Sequence, residues 1–268
     1  MVGYSSFEAL RLEMRGRVLV ITLDNQPLNL ITPQIHEELS RIFAVVNRDP
    51  DVAVVVITGA GDRAFSAGAD INLSAQRLER GDHADWLRAT AEARDLTYSL
   101  LRFEKPLIAR INGHAIGVSA NIAVMSDFSY MMAKAKIADT HVKIGLSAGD
   151  GGAMMWPILM GFAKARHYLL TGDALTGAEA AELGLITKAA ESIEELDSLA
   201  YGMAERLAKG PGRAINATKT SINLLLRNMF EGVVEAHGGL QMGTYLSKDY
   251  RAAVMAFKEG QEPIFSGE

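Results

Sequence analysis

Val52-Ala-Val-Val-Val-Ile-Thr58 is the stretch on which the fold reading turns. It has no polar alternation, which predicts a strand covered on both faces, as in a sheet flanked by helices. Upstream, Val18-Leu-Val-Ile-Thr-Leu23 is short, β-branched and bounded by Gly16 and Asp24, and it reads as a strand too. Between the two, Thr32 is a good N-cap and Pro33 suits the first helical position. Ile35, Leu39, Ile42, Phe43 and Val46 then recur at helical spacing up to about Asp49-Pro50. Downstream, Leu107 to Ile111 and Phe128 to Met132 read as strands, and Gly117 to Met125 as a small-residue helix. Residues 71–103 and 153–170 read as helical. Thr176 with Glu179, and Ser192 with Glu195, have capping-box spacing, the second box opening a helix to about Lys209. From Arg213 onward the pattern is almost entirely helical. Strands alternate with helices to about residue 190 and helices alone follow, so the expected class is α/β with a helical C-terminal section.

Composition narrows the function. The 268 residues carry 27 Lys plus Arg against 32 Asp plus Glu, a net charge of −5, and no basic run, which argues against a nucleic-acid partner. There is no Cys, so disulfides and thiolate chemistry are excluded, and a cytoplasmic, reducing setting is the expectation. Neither a secretory leader nor a membrane-spanning apolar run is expected. The dinucleotide fingerprint fails because Met154 stands where its third Gly belongs, and Walker A, zincin and nucleophile-elbow motifs do not occur. The six His residues show no metal-ligand spacing, so no metal is expected.

The 25 Gly residues need a reason. Two small-residue segments offer one: Phe65-Ser-Ala-Gly-Ala-Asp70, and Gly113-His-Ala-Ile-Gly-Val-Ser119 just before a helix. A helix N-terminus presents unpaired N–H groups and partial positive charge. Two backbone N–H groups from separate loops can converge on one oxygen and stabilise an enolate or tetrahedral oxyanion. Tight helix–strand packing is the alternative explanation of the same glycines.

These residues carry a family resemblance. Phe-Ser-Ala-Gly-Ala-Asp at 65–70, Lys-Pro-Leu-Ile-Ala-Arg-Ile-Asn-Gly-His-Ala-Ile-Gly at 105–117, Ser-Asp-Phe at 126–128, and the run from Leu169 through Ile186 resemble the crotonase superfamily, the enoyl-CoA hydratase/isomerase family. The resemblance spans roughly residues 10–265. It implies a spiral of ββα units over residues 1–195 that holds the active site. It also implies a helical trimerisation region over 196–268, in a homotrimer or homohexamer. The implied partner is an acyl-CoA thioester, with no separate cofactor because CoA is part of the substrate. The N–H groups of Ala69 and Val118 would form the oxyanion hole. Ala67, Gly68, Asp70, Ile71, Asn72 and Gly117 would meet the substrate or CoA, with Phe257 and Lys258 reaching CoA from the C-terminal tail.

The chain departs from the family where its hydratases carry two Glu residues. Asn121 stands at the first and His141 at the second, while Asp150 occupies the Gly149-Asp-Gly-Gly152 loop. Asn121 cannot act as a base, but its amide can orient water or substrate. His141 can exchange protons near neutral pH, and Asp150 can accept its ring N–H and raise its basicity. Asp150 also reads as a helix N-cap. His141…Gly149-Asp150-Gly151…Trp156-Pro157 is further similar to the pattern of oxocamphor hydrolase, a C–C hydrolase of this fold. Three readings follow: a hydratase- or isomerase-like acyl-CoA enzyme with a His/Asp pair, a retro-Claisen hydrolase of β-dicarbonyls, and a non-catalytic acyl-CoA binder. Trp86 and Leu87 lie where this family often covers the acyl group.

Overall fold

The computed structural model describes residues 3–81 and 83–268. In chain order the elements are β1 (Leu10–Arg15), β2 (Val18–Leu23), α1 (Pro33–Asn47), β3 (Val54–Gly59), β4 (Ala64–Ser66), α2 (Ile71–Arg80), α3 (His83–Leu101), β5 (Leu107–Ile111) and β6 (His114–Ile116). There follow α4 (Val118–Val124), β7 (Phe128–Met132), β8 (Lys136–Ala138), a single 3-10 turn (His141–Ile144), α5 (Gly152–Met160), α6 (Phe162–Thr171), β9 (Leu175–Thr176) and α7 (Gly177–Glu182). The chain continues through β10 (Lys188–Ala190), α8 (Ile193–Ala208), α9 (Gly212–Phe230), α10 (Val233–Tyr245) and α11 (Lys248–Lys258).

Two sheets result. The larger has the order β1-β2-β3-β5-β7-β10, parallel except for the β1–β2 hairpin. The smaller has the order β4-β6-β8-β9, parallel from β4 to β8. Each long inner strand hands the chain to a short strand of the second sheet, which runs into a helix: β3 to β4 to α2, β5 to β6 to α4, β7 to β8 to α5. This is the crotonase spiral of ββα units. Glycine makes the handover possible. A Cβ on Gly59 would lie 2.4 Å from the Phe65 carbonyl oxygen, and one on Gly113 would lie 2.4 Å from the Arg63 carbonyl.

Every residue of β3 is buried, as the absence of polar alternation requires. Its two faces feed two cores. Val55 and Ile57 pack with α1 residues Leu39, Ile42, Phe43 and Val46, whereas Val54 and Val56 pack with Leu196, Ala200 and Ala204 of α8. A division at residues 195/196 therefore falls inside α8, a helix that covers the sheet. By packing, the helical extension begins with α9. The Thr32 hydroxyl accepts the Ile35 N–H to cap α1, and Thr176 with Glu179 completes a capping box on α7. The second expected box is incomplete: Ser192 caps α8, but Glu195 accepts from the Glu191 N–H instead. The helix expected over residues 153–170 breaks at Gly161 (φ +81°), and that over 71–103 divides after Gly81 (φ +66°). The short strands β4, β6, β8 and β9 left no legible periodicity, being two or three residues each. No helix among the described residues is long and apolar enough to cross a membrane.

Candidate active site

Three adjacent parallel strands, β4, β6 and β8, end side by side, and the segments that leave their carboxyl ends build the site. This is where open parallel sheets place ligands. Beyond β4, residues 67–70 lead into α2. Beyond β6, Gly117 (φ +60°) starts α4. Beyond β8, Asp139 and Thr140 lead into the turn that begins at His141. The segments are tied together. Gly117 N–H donates to the Ala138 carbonyl at 2.8 Å. The Ser119 hydroxyl donates to the Ser66 carbonyl at 2.8 Å, and Ser66 Oγ accepts from Gly68 N–H at 3.1 Å. Gly68 needs its φ of +85°, and a Cβ there would meet the Ile116 carbonyl oxygen at 2.8 Å.

A cavity opens over these strand ends. Ala67, Gly68, Ala69, Asp70, Ile71, Gly117, Val118, His141 and Asp150 all line it, together with Trp86 and Tyr245. Ala67 N–H is used by the Leu28 carbonyl, at 2.9 Å. The N–H groups of Ala69 and Val118 have no protein acceptor in the turn, loop and cap bonding of the described residues. Val118 is the first residue of α4, where an N–H has no partner within the helix.

His141 lies between two carboxylates. Its Nδ1 is 2.6 Å from Asp139 Oδ1 and its Nε2 is 3.2 Å from Asp150 Oδ2. Asn121, from α4, donates its amide N–H groups to Asp150 Oδ1 at 2.8 Å and Asp139 Oδ2 at 3.2 Å. Burial alone would push the His141 pKa down, but the charges of Asp150 and Asp139 raise it well above the ordinary imidazole value. Burial would likewise raise Asp139, yet the neighbouring imidazolium and the Asn121 amide hold it below the usual carboxylate range. The three acid–base side chains offer donor atoms all within 4.8 Å of one another, close enough to suggest a metal. The two carboxylates, however, take opposite nitrogens of the ring, which suits a protonated imidazole bridging them better than a shared cation.

Several expectations change in this geometry. Asp150 is no helix cap: α5 begins after Gly151, without a side-chain cap, and the carboxylate is turned to His141 and Asn121. Asn121 does not line the cavity to orient water or substrate. It is 1% exposed and absent from the cavity lining, and its amide N–H groups are spent on the carboxylates of Asp139 and Asp150. Asp139 escaped the sequence reading, because an acid two residues before a His resembles any strand-end polar residue until the fold turns both inward. Asp70 caps α2 by accepting the Asn72 N–H at 2.9 Å, and Asn72 itself is exposed outside the cavity. Phe257 is exposed and Lys258 pairs with Glu79 at 2.6 Å, so neither reaches the cavity. Trp86 is buried against the cavity, stacked on Tyr245 with ring centroids 4.7 Å apart, whereas Leu87 is exposed. Trp156 is enclosed in the core, away from the cavity. A further pair, His36 Nδ1 to Glu92 Oε2 at 2.8 Å, joins α1 to α3 on the cavity wall.

Comparison with known proteins gives the same fold and names its family. The enoyl-CoA hydratase/isomerase family model matches residues 13–268. The (E)-benzylidenesuccinyl-CoA hydratase of Thauera aromatica is 32% identical, covering 96% of this chain and 98% of that protein. The carnitinyl-CoA dehydratase of Escherichia coli is 29% identical over 97% and 99% of the two chains. A crystal structure of an enoyl-CoA hydratase/isomerase from Mycobacterium paratuberculosis superposes with a TM-score of 0.86 at 30% identity, covering 92% of this chain and 97% of that one. Matched over nearly its whole length in sequence and in structure, the chain belongs to the enoyl-CoA hydratase/isomerase family, the crotonase superfamily.

Proposed function

We propose that the protein is an acyl-CoA enzyme of lyase or isomerase type that forms and quenches a thioester enolate. The observation carrying this reading is the meeting, at one cavity, of two open backbone N–H groups and a buried acid–base pair: Ala69 and Val118 on one side, His141 and Asp150 on the other. The N–H groups would take the thioester oxygen as negative charge develops on it. Preorganised donors of this kind are worth about 10²–10³ in rate each. The pair would move the proton at the α-carbon or activate the incoming water, in place of the two Glu residues of the family's hydratases. Ala67, Gly68, Asp70, Ile71 and Gly117 would line the thioester and pantetheine path. Asn72, Phe257 and Lys258 lie outside the cavity and fit an outer CoA contact at most. CoA enters as part of the substrate, so the reading needs no separate cofactor.

The relatives act on CoA thioesters of different acyl groups, which supports the class of ligand and leaves the acyl group open. The deciding experiment is a mass-spectrometric screen of enoyl-, hydroxyacyl-, β-ketoacyl- and aryl-CoA thioesters, with cyclic β-diketones alongside. Gain or loss of water, or a shifted double bond, on a CoA thioester is the expected result. Cleavage of a C–C bond instead would establish the retro-Claisen reading, and CoA-thioester binding without turnover across the panel would leave a binder.

A further inference from the structure

We propose that Asp139 is a positioning residue that holds His141 as an imidazolium, leaving Asp150 as the base that faces the substrate. This rests on the acyl-CoA reading for its substrate but not for its charge assignment. A His–Asp pair with one carboxylate leaves one ring nitrogen free to act as a base. Here neither nitrogen is free: Asp139 stands at Nδ1 and Asp150 at Nε2. Two acceptors on one ring are both satisfied only when both nitrogens carry protons.

Asp139 is built for this task. It is 1% exposed, follows directly on β8, and also accepts the His141 backbone N–H at 3.3 Å. Gly152 makes room for it, since a Cβ there would lie 2.0 Å from Asp139 Oδ2. Asn121 braces the far oxygen and links it to Asp150, so ring and carboxylates are held as one unit. Arg77 of α2 and the His36–Glu92 pair line the same cavity, whereas the charged groups against the ring itself are Asp139 and Asp150. From α10 and α11 the neighbouring groups are Tyr245 and Tyr250, phenols that burial keeps protonated, the latter pushed up to about 12. Lys143, on the same turn, points to Asp173 at 3.6 Å. Within this arrangement the cavity-facing lone pairs belong to Asp150.

The step balances for hydration of an enoyl thioester. Asp150 takes a proton from water as the water oxygen bonds to the β-carbon. The electron pair moves to the thioester oxygen, giving an enolate held by the Ala69 and Val118 N–H groups. The α-carbon then takes the proton from Asp150 and the thioester re-forms. His141 stays charged throughout.

The test is nitrogen NMR of the protein labelled with ¹⁵N-histidine, recorded against pH without substrate. Both His141 nitrogens are expected to show imidazolium shifts at pH 7.5 and to titrate well above the ordinary imidazole value of about 6.5. Asp139→Asn is expected to lower that titration by one unit or more. With an active acyl-CoA in hand, the same variant should lose kcat by about tenfold or more with KM within twofold, and Asp150→Asn should lose about 10²–10⁴ in kcat. An ordinary His141 titration in the wild-type protein, or one unmoved by Asp139→Asn, overturns the proposal, and the wild-type titration decides even if the variant fails to fold. Imidazolium shifts in a protein that turns over no CoA thioester would refute the acyl-CoA reading while upholding the charge assignment.

Discussion

Gly117 and His141 show how far single residues set this site. A Cβ on Gly117 would stand 4.0 Å from the His141 ring, so the start of α4 and the acid–base group are neighbours although 24 positions separate them in sequence. The His141 charge also has a stability signature. Its folded pKa lies above its unfolded value, so the charged ring contributes stability that is complete below about pH 6.5 and is lost as pH rises through the raised folded value. Replacing it by Gln removes that contribution and leaves Asp139 buried without its cation. The stability difference between wild type and His141→Gln, measured by urea unfolding, should be largest at pH 5–6.5 and shrink as pH climbs above neutrality. A difference that grows with pH would contradict the assignment. His141 was legible in the sequence as the replacement for a family Glu, and Asp150 as the carboxylate of the Gly149-Asp-Gly-Gly152 loop. Asp139 was not, because nothing in Ala138-Asp139-Thr140 distinguishes a partner of His141 from a strand-end turn.

On the proposed reading, the element that would set the oxyanion geometry is the loop between β4 and α2, which touches the end of β6. Gly68 is its contact point, with left-handed backbone and the Ile116 carbonyl where a side chain would go. Gly68→Ala is expected to push the loop off β6 and move the Ala69 N–H, since backbone rather than a flexible side chain blocks the new methyl. Losing one such donor predicts a fall of about 10²–10³ in kcat, measured on whichever CoA thioester proves active. Near-normal kcat in a folded Gly68→Ala protein would show that Ala69 does not stabilise the oxyanion. Helices were read well at this scale, because Thr32, Thr176 and Ser192 announce their starts and apolar spacing marks their faces. The second sheet was not, because strands as short as Ala64–Ser66 and His114–Ile116 carry too few residues for alternation to show.

At the scale of the whole molecule, the exposed apolar surface gathers on the C-terminal helices. Ile222, Leu224, Leu225 and Met229 of α9 and Leu240 of α10 are each about half exposed or more. An unpartnered run of this kind usually marks an interface. The expected assembly is a trimer or a pair of trimers, and light scattering on the eluting protein will show its mass. Leu225→Lys is expected to shift that mass toward the monomer, because a charge placed in an apolar contact is costly unless paired. A monomeric wild-type protein would remove the expectation. Packing also redraws the boundary within the chain: α8 reads as the first helix of a C-terminal section, yet its Leu196, Ala200 and Ala204 complete the second core under β3.

What the sequence by itself determined is the α/β class, the helix starts, the family and the identity of the residues standing where two Glu are missing. These follow from local spacing, caps and motif order, all properties of neighbouring positions. Only the tertiary structure decided that Asp139 faces His141, that Asn121 binds the two carboxylates rather than substrate, and that Asp150 serves the ring rather than a helix end. The physical reason is the same in each case. These contacts join the ends of β8, α4 and the loop before α5, which approach one another only after two sheets have formed, so no pattern along the chain encodes them.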